Sequence, residues 1–171
     1  MTITINGTGT ITGITAGGLP DAIITQPELA TGVAGTGPAF SAYLSADQAA
    51  PSIGVWTKVA FDAEAFDTNN NFASSRFTPT VAGYYQLTVN AVFGAGVTSL
   101  TSCAFYKNGS SYKQGTTFSN LSATYVVGTS DFLYLNGSTD YIELYVYISS
   151  TSVVSGGIGG TSLAGFLARS A

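Results

Sequence analysis

In the run GYYQLTVNAVF, Gly83 to Phe93, Tyr85, Leu87, Val89, Ala91 and Phe93 occupy every second position, with Tyr84, Gln86, Thr88 and Asn90 between them. A backbone with a period of two residues is a strand, and a helix would scatter the same residues around its circumference. The alternation returns in Ile142, Leu144, Val146 and Ile148, which leaves Tyr141, Glu143, Tyr145 and Tyr147 on the opposite face. From Phe40 onward the chain is a series of aromatic and β-branched runs separated by turn residues, with no helical apolar period. The fold class is therefore all-β. Tyr85, Leu87, Val89, Phe93, Ile142, Leu144 and Val146 are the expected core. Asn108-Gly109 and Asn136-Gly137 sit between strand-like runs and predict two tight hairpins. Short strands in this rhythm point to a sandwich.

The amino-terminal part reads differently. Thr and Ile alternate over residues 2–15, with a pause at Asn6-Gly7-Thr8-Gly9. So short a ribbon has no core of its own and must dock on something. After a turn at Gly17-Gly18-Leu19-Pro20, Thr25-Gln26-Pro27-Glu28 has the Thr cap, early Pro and Glu of a helix start, and Gly32 would end it. Residues 1–33 thus read as an extended amino-terminal anchor whose apolar contacts are Ile3, Ile5, Ile11, Ile14, Leu19, Ile23 and Leu29. Residues 34–38 read as a linker of small residues and turn formers, and 39–171 as one domain. A chain of 171 residues buries one good core.

Only 8% of the residues are charged, against about 25% in an average soluble chain, and the mean hydropathy is +0.30. Much of the surface must be Thr, Ser, Asn, Tyr and Gly. Such a surface belongs either to an ordinary β-protein rich in hydroxyls or to a chain whose faces are covered by copies of itself. The net charge of -4 removes the electrostatic footprint of a nucleic-acid binder. The five cations, Lys58, Arg76, Lys107, Lys113 and Arg169, are scattered and form no polybasic membrane patch. No apolar run approaches the roughly 20 residues needed to span a bilayer, so membrane insertion is not expected. MTITINGTGT lacks the regions of a signal peptide, so synthesis and initial residence in the cytosol are expected.

Chemistry is restricted in the same way. Without His, the Ser-His-Asp and Cys-His mechanisms and His-based zinc sites are closed, and no enzyme is expected. GTGTITG and GGIGG match neither a phosphate loop nor a dinucleotide fingerprint, so no cofactor is expected. Cys103, the lone cysteine, reads as a small strand residue. Asp62, Glu64 and Asp67, with Asn69, Asn70 and Asn71, read as a solvated loop; the calcium alternative rests on their hard oxygen ligands, without the spacing of an EF-hand. The sequons at Asn6, Asn108, Asn120 and Asn136 are coincidences of a Ser/Thr-rich chain. Tyr141, Tyr145 and Tyr147 suit a subunit interface better than a sugar platform.

The order of these segments resembles the complement component 1q-like globular domain, a relative of the tumour necrosis factor jelly roll. AFSAYL, Ala39 to Leu44, is similar to the family's first strand, and Phe66-Asp67 through Phe72 to its Asn-rich second segment. RFTPTVAGYYQL, Arg76 to Leu87, resembles its run of Phe-Thr, Pro, Gly and paired aromatics. Phe105 to Gly109 resembles its Lys-Asn-Gly hairpin, Leu135 to Leu144 its Gly-Asp hairpin, and Ser162 to Leu167 its closing strand. Here the Gly-Asp hairpin is lengthened to Asn136-Gly137-Ser138-Thr139-Asp140. The resemblance implies a ten-strand, two-sheet jelly-roll sandwich that forms a tight homotrimer through aromatic and apolar faces, for recognition and not catalysis. Tyr84, Tyr125, Gly165 and Phe166 are the trimer-interface candidates. Gly165, in a strand interior, would admit another backbone at a crowded trimer axis.

The collagen period that precedes such domains in animals is missing. TINGTGTITGITAGGLPDAIITQPELATG instead resembles anchor segments of bacteriophage virion proteins. It implies a virion surface protein assembled in the host cytoplasm and attached to other virion proteins of capsid, neck or tail, as a capsid-decoration protein or short fibre. The alternative is a tail-fibre tip that recognises a host surface glycan or protein through loops near Asn69, Ser110 and Thr151.

Overall fold

Alternating apolar residues become strands throughout. The structure, a computed structural model, describes residues 37–49, 52–94, 100–119 and 123–171. The expected anchor, with Ile3, Ile5, Ile11, Ile14, Leu19, Ile23 and Leu29, lies outside the described residues. The strands are β1 (Ala39–Tyr43), β2 (Thr57–Lys58), β3 (Ala63–Asp67), β4 (Phe72–Ala73), β5 (Arg76–Phe77), β6 (Gly83–Phe93), β7 (Thr101–Lys107), β8 (Ser110–Phe118), β9 (Tyr125–Leu135), β10 (Ile142–Ile148) and β11 (Ser162–Ser170). Among the described residues there is no helix. Sheet one has the order β3-β1-β11-β6-β9 and sheet two the order β4-β5-β10-β7-β8, with β2 also paired to β10. All pairs are antiparallel.

The expected core is the core. Tyr85, Leu87, Val89 and Phe93 on β6 and Ile142, Leu144 and Val146 on β10 are buried, and their strands belong to opposite sheets. The aromatic centre joins the layers: Phe40 of sheet one stacks on Phe77 of sheet two at 4.1 Å between centroids, and Phe77 meets the ring of Tyr85 edge-on at 5.4 Å. Removing each such side chain from water stabilises the fold by about 1.5–3 kcal/mol. The Tyr85 hydroxyl donates to the Val81 carbonyl at 2.7 Å, and burial pushes its phenol up to about 12.

Among the described residues eleven strand segments stand where ten were expected, because the part of sheet two beyond β10 is built from the two-residue pieces β2, β4 and β5. Left-handed backbone at Asn70, Ser74 and Ser75 interrupts the ladder there. Part of the expected linker is joined to the sandwich, since the Leu167 amide donates to the Pro38 carbonyl at 2.8 Å. Gly83 is required where the chain enters β6, because a Cβ would strike the carbonyl of Arg169.

The two Asn-Gly pairs behave differently. Asn108 and Gly109 both have positive φ, 53° and 77°, and close the β7–β8 hairpin as a tight turn. Asn136-Gly137 makes no hairpin, and this corrects the expectation for Leu135 to Leu144. β9 ends in sheet one and β10 begins in sheet two, so the segment between them is a crossover. The Asn136 side-chain carbonyl accepts the amides of Ser138, Thr139 and Asp140 at 2.9–3.0 Å, which rolls the chain over before it can pair with itself. Asp140 fastens the crossover to the neighbouring hairpin through Asn108 at 2.8 Å and Lys107 at 3.1 Å. Burial alone would raise the Asp140 carboxyl, and these donors hold it below the usual range.

Candidate functional site

The outward side chains of sheet one form a band of uncovered aromatics. Register places Tyr84 opposite Tyr134, and Gln86 between Phe132 on β9 and Phe166 on β11. Tyr84 stacks on Phe132 at 5.7 Å and meets Tyr134 edge-on at 5.6 Å. The band is exposed nonetheless: Phe132 52%, Phe166 51%, Tyr84 42% and Tyr134 41%. Two open grooves cut this face. One, of about 470 Å³, lies beside Tyr84, Phe132, Tyr134 and Arg169; the other, of about 370 Å³, lies beside Asn90, Val126 and Ile158. Rings left in water at this density are the usual mark of a surface that is covered by a partner.

Tyr84 and Phe166 thus lie on the exposed band, whereas the other two interface candidates face their own protomer. A Cβ on Gly165 would meet the Leu87 side chain, the Gln86 carbonyl at 2.9 Å and the Phe40 ring at 3.1 Å. The glycine is needed by crowding inside the sandwich, where the backbone that approaches it closely is that of its own β6. Tyr125 stacks on Phe93 at 5.8 Å, and its hydroxyl shares a 2.6 Å hydrogen bond with Thr101. Burial raises that phenol, which sits at the margin of the core. Phe132 and Tyr134 were missed, because YVVGTSDFLYL alternates only in part; their place beside Tyr84 follows from the β6–β9 register.

The calcium candidates do not converge, and among the described residues no group of three or more acidic, Cys or His side chains is placed to hold a metal ion. The Asp62 carboxylate accepts the Ser45 hydroxyl at 2.6 Å and the Ser45 amide at 2.7 Å, which lower its pKa in that order. Asp67 accepts the amides of Phe72 at 2.7 Å and Asn69 at 3.2 Å, which shapes the turn after β3. Glu64 is exposed on the edge strand β3. Asn69 and Thr151 are exposed in separate turns, and Ser110 is exposed as the first residue of β8. Cys103 is buried, and burial pushes its thiol up to about 11, which removes it from thiolate chemistry.

The outward face of sheet two is built another way. Glu143, 2% exposed, takes both Lys58 at 2.6 Å and Arg76 at 2.9 Å on one carboxylate oxygen. The Lys58 ammonium also donates to the Ser74 carbonyl at 2.9 Å, and the Arg76 guanidinium lies 4.1 Å from the ring centroid of Tyr141. Next along β10, Tyr145 stacks on Tyr106 at 3.8 Å, and Trp56 packs between Tyr106 and Tyr147 at 6.2 and 5.6 Å. Burial raises the phenols of Tyr106 and Tyr145, the latter with a further contribution from the Glu143 charge. Tyr141, Tyr145 and Tyr147, expected as exposed rings suited to a subunit interface, are half-buried against these neighbours. The ion cluster was not found from sequence. The outward parity of Glu143 was its only local signal, because Lys58 and Arg76 stand 85 and 67 residues away.

No family model and no curated protein sequence matches the chain. Solved structures do. The globular domain of the zebrafish complement 1qA protein is similar at a TM-score of 0.59 and 20% identity, over 79% of this chain and 99% of that one. Murine APRIL at pH 5.0 is similar at a TM-score of 0.61 and 13% identity, over 77% and 98%, and its pH 8.0 structure at 0.60 and 13%, over 76% and 98%. At such identities the likeness is one of fold: two antiparallel sheets in a jelly roll of the complement component 1q and tumour necrosis factor type.

Proposed function

We propose that this protein is a non-enzymatic structural knob that assembles as a homotrimer through the outer face of sheet one, and that residues 1–33 attach it to a virion. The exposed band Tyr84, Phe132, Tyr134 and Phe166 carries the trimer reading. Four large rings on one sheet face, beside two open grooves, form a surface that a second and third copy would remove from water. The low charge of the chain opposes such association only weakly. Absence of His supports a role without catalysis.

The virion reading is supported by the Thr/Ile-alternating residues 1–33 and their likeness to phage anchor segments. Its form is capsid decoration or a short head or neck fibre, assembled in the host cytoplasm, with other virion proteins as partners. Light scattering on the purified chain tests the trimer: the expected mass is three times 17.5 kDa, and a persistent single protomer would overturn it. Removal of residues 1–33 should leave that trimer intact and abolish attachment to particles. Particles that remain decorated after the deletion would refute the anchor.

A further inference from the structure

Two of the chain's five cations are paired singly, Lys107 with Asp140 and Lys113 with Asp131 at 3.9 Å, and a third, Arg169, lies by the groove of sheet one. The other two, Lys58 and Arg76, share one oxygen of the buried Glu143 on the outer face of sheet two. One carboxylate between two cations leaves a local excess of positive charge on a chain whose net charge is -4. Donor capacity is left over as well. The Arg76 Nε–H is buried with no partner among the described residues, and the outer parts of the Lys58 and Arg76 side chains reach solvent, at 28% and 40% exposure. This is a place for an added anion.

The surroundings specify what carries that anion. The outward row of β10 is Glu143, Tyr145 and Tyr147, preceded by Tyr141, beside Ser102, Ala104 and Tyr106 of β7, with Trp56 closing the far end. Tyr106 and Tyr145 cover one face of each other, so what the row offers a ligand is the remaining ring area and the polar rims, held rigid at low conformational cost. From Glu143 to Tyr147 the strand spans about 13 Å, longer than one pyranose ring and suited to about two or three linked ones. A peptide strand would need a free edge for its backbone, and β10 is paired on both sides.

We infer that the outer face of sheet two binds a carboxylated oligosaccharide, its pyranose faces on Trp56, Tyr106, Tyr145 and Tyr147 and its carboxylate on Arg76 and Lys58. The site is complete within one protomer and stands apart from the trimer reading. It is tested by titrating the full chain with tri-galacturonate while following the emission of Trp56, the sole tryptophan, with calorimetry in parallel. Saturable binding is expected, with maltotriose and triglutamate at least about tenfold weaker. Arg76→Gln should weaken tri-galacturonate by about tenfold or more, and Lys58→Gln reads the same loss should the first variant fail to fold. Tyr147→Ala, which leaves the ion cluster intact, should weaken both sugars. Absence of saturable binding by both readouts overturns the inference, as does indifference to both cation variants. Equal binding of maltotriose would show that the carboxylate is not read, and equal binding of triglutamate would assign the face to acidic peptides; either result overturns it.

Discussion

The two outward faces of the sandwich carry similar numbers of aromatic rings, yet the rings stand in opposite situations. On sheet one, Tyr84, Phe132, Tyr134 and Phe166 are 41–52% exposed, with little of their own chain above them. On sheet two, Trp56, Tyr106, Tyr145 and Tyr147 lean on one another beside a carboxylate that neutralises one of two cations. Aromatic content alone does not distinguish an interface from a finished surface; coverage by the same chain does. The first face leaves apolar ring area exposed, which the proposed trimer would cover, and the second leaves partly exposed cations beside half-buried rings, where the proposed ligand would sit.

The contrast is broken most strongly at Glu143. Glu143→Ala strands Lys58 and Arg76 beside each other and should destabilise the protomer by about 3 kcal/mol by denaturant unfolding, a value kept low by the partial exposure of both cations. A loss below about 0.5 kcal/mol would mean that the cluster is a solvated surface pair and that sheet two is not self-supporting. Next comes Gly165, between the faces. Gly165→Ala should cost about 2 kcal/mol in the unfolding of a single protomer, because its Cβ enters space held by Leu87, the Gln86 carbonyl and Phe40. Full protomer stability with loss of the trimer would return Gly165 to the interface.

The smallest effect is at Tyr85, which calibrates the core behind both faces. Tyr85→Phe gives up the hydrogen bond to Val81 and should cost about 1 kcal/mol at neutral pH. The wild-type phenol is raised from 10.0 to about 12 in the fold, so the unfolded chain ionises first. Its stabilisation is therefore complete below pH 10 and is lost as pH rises from 10 towards 12. Unfolding curves across that window should fall more steeply for wild type than for Tyr85→Phe. Parallel curves would show that the phenol is not protected.

Much of the fold was legible because strand parity is local. Tyr85, Leu87 and Val89 point inward for the same reason that Tyr84 and Gln86 point outward, and no distant residue is needed to say so. The Asn108-Gly109 hairpin was legible for a similar reason: two positive φ angles close a turn between adjoining strands. Asn136-Gly137 carried the same local signal with another outcome. Its asparagine caps the amides that follow, and Asp140 fastens to Asn108 and Lys107.

The candidate surfaces were less legible than the core. Tyr84 and Phe166 were found on the exposed band, but Phe132 and Tyr134 join them only through the β6–β9 register. Tyr125 looks equally aromatic in sequence and is turned to Phe93 and Thr101. Gly165 carried the signature of close approach without saying what approaches.

From the sequence alone came the all-β class, the inward set of each long strand and the absence of His chemistry, all of them properties of composition or of a two-residue period. The tertiary structure decided which rings are covered, where Gly165 is crowded and how Lys58, Arg76 and Glu143 meet. Those depend on which strands lie side by side, and pairing across 67 or 85 residues is set by the packing of the whole sandwich rather than by neighbours in the chain.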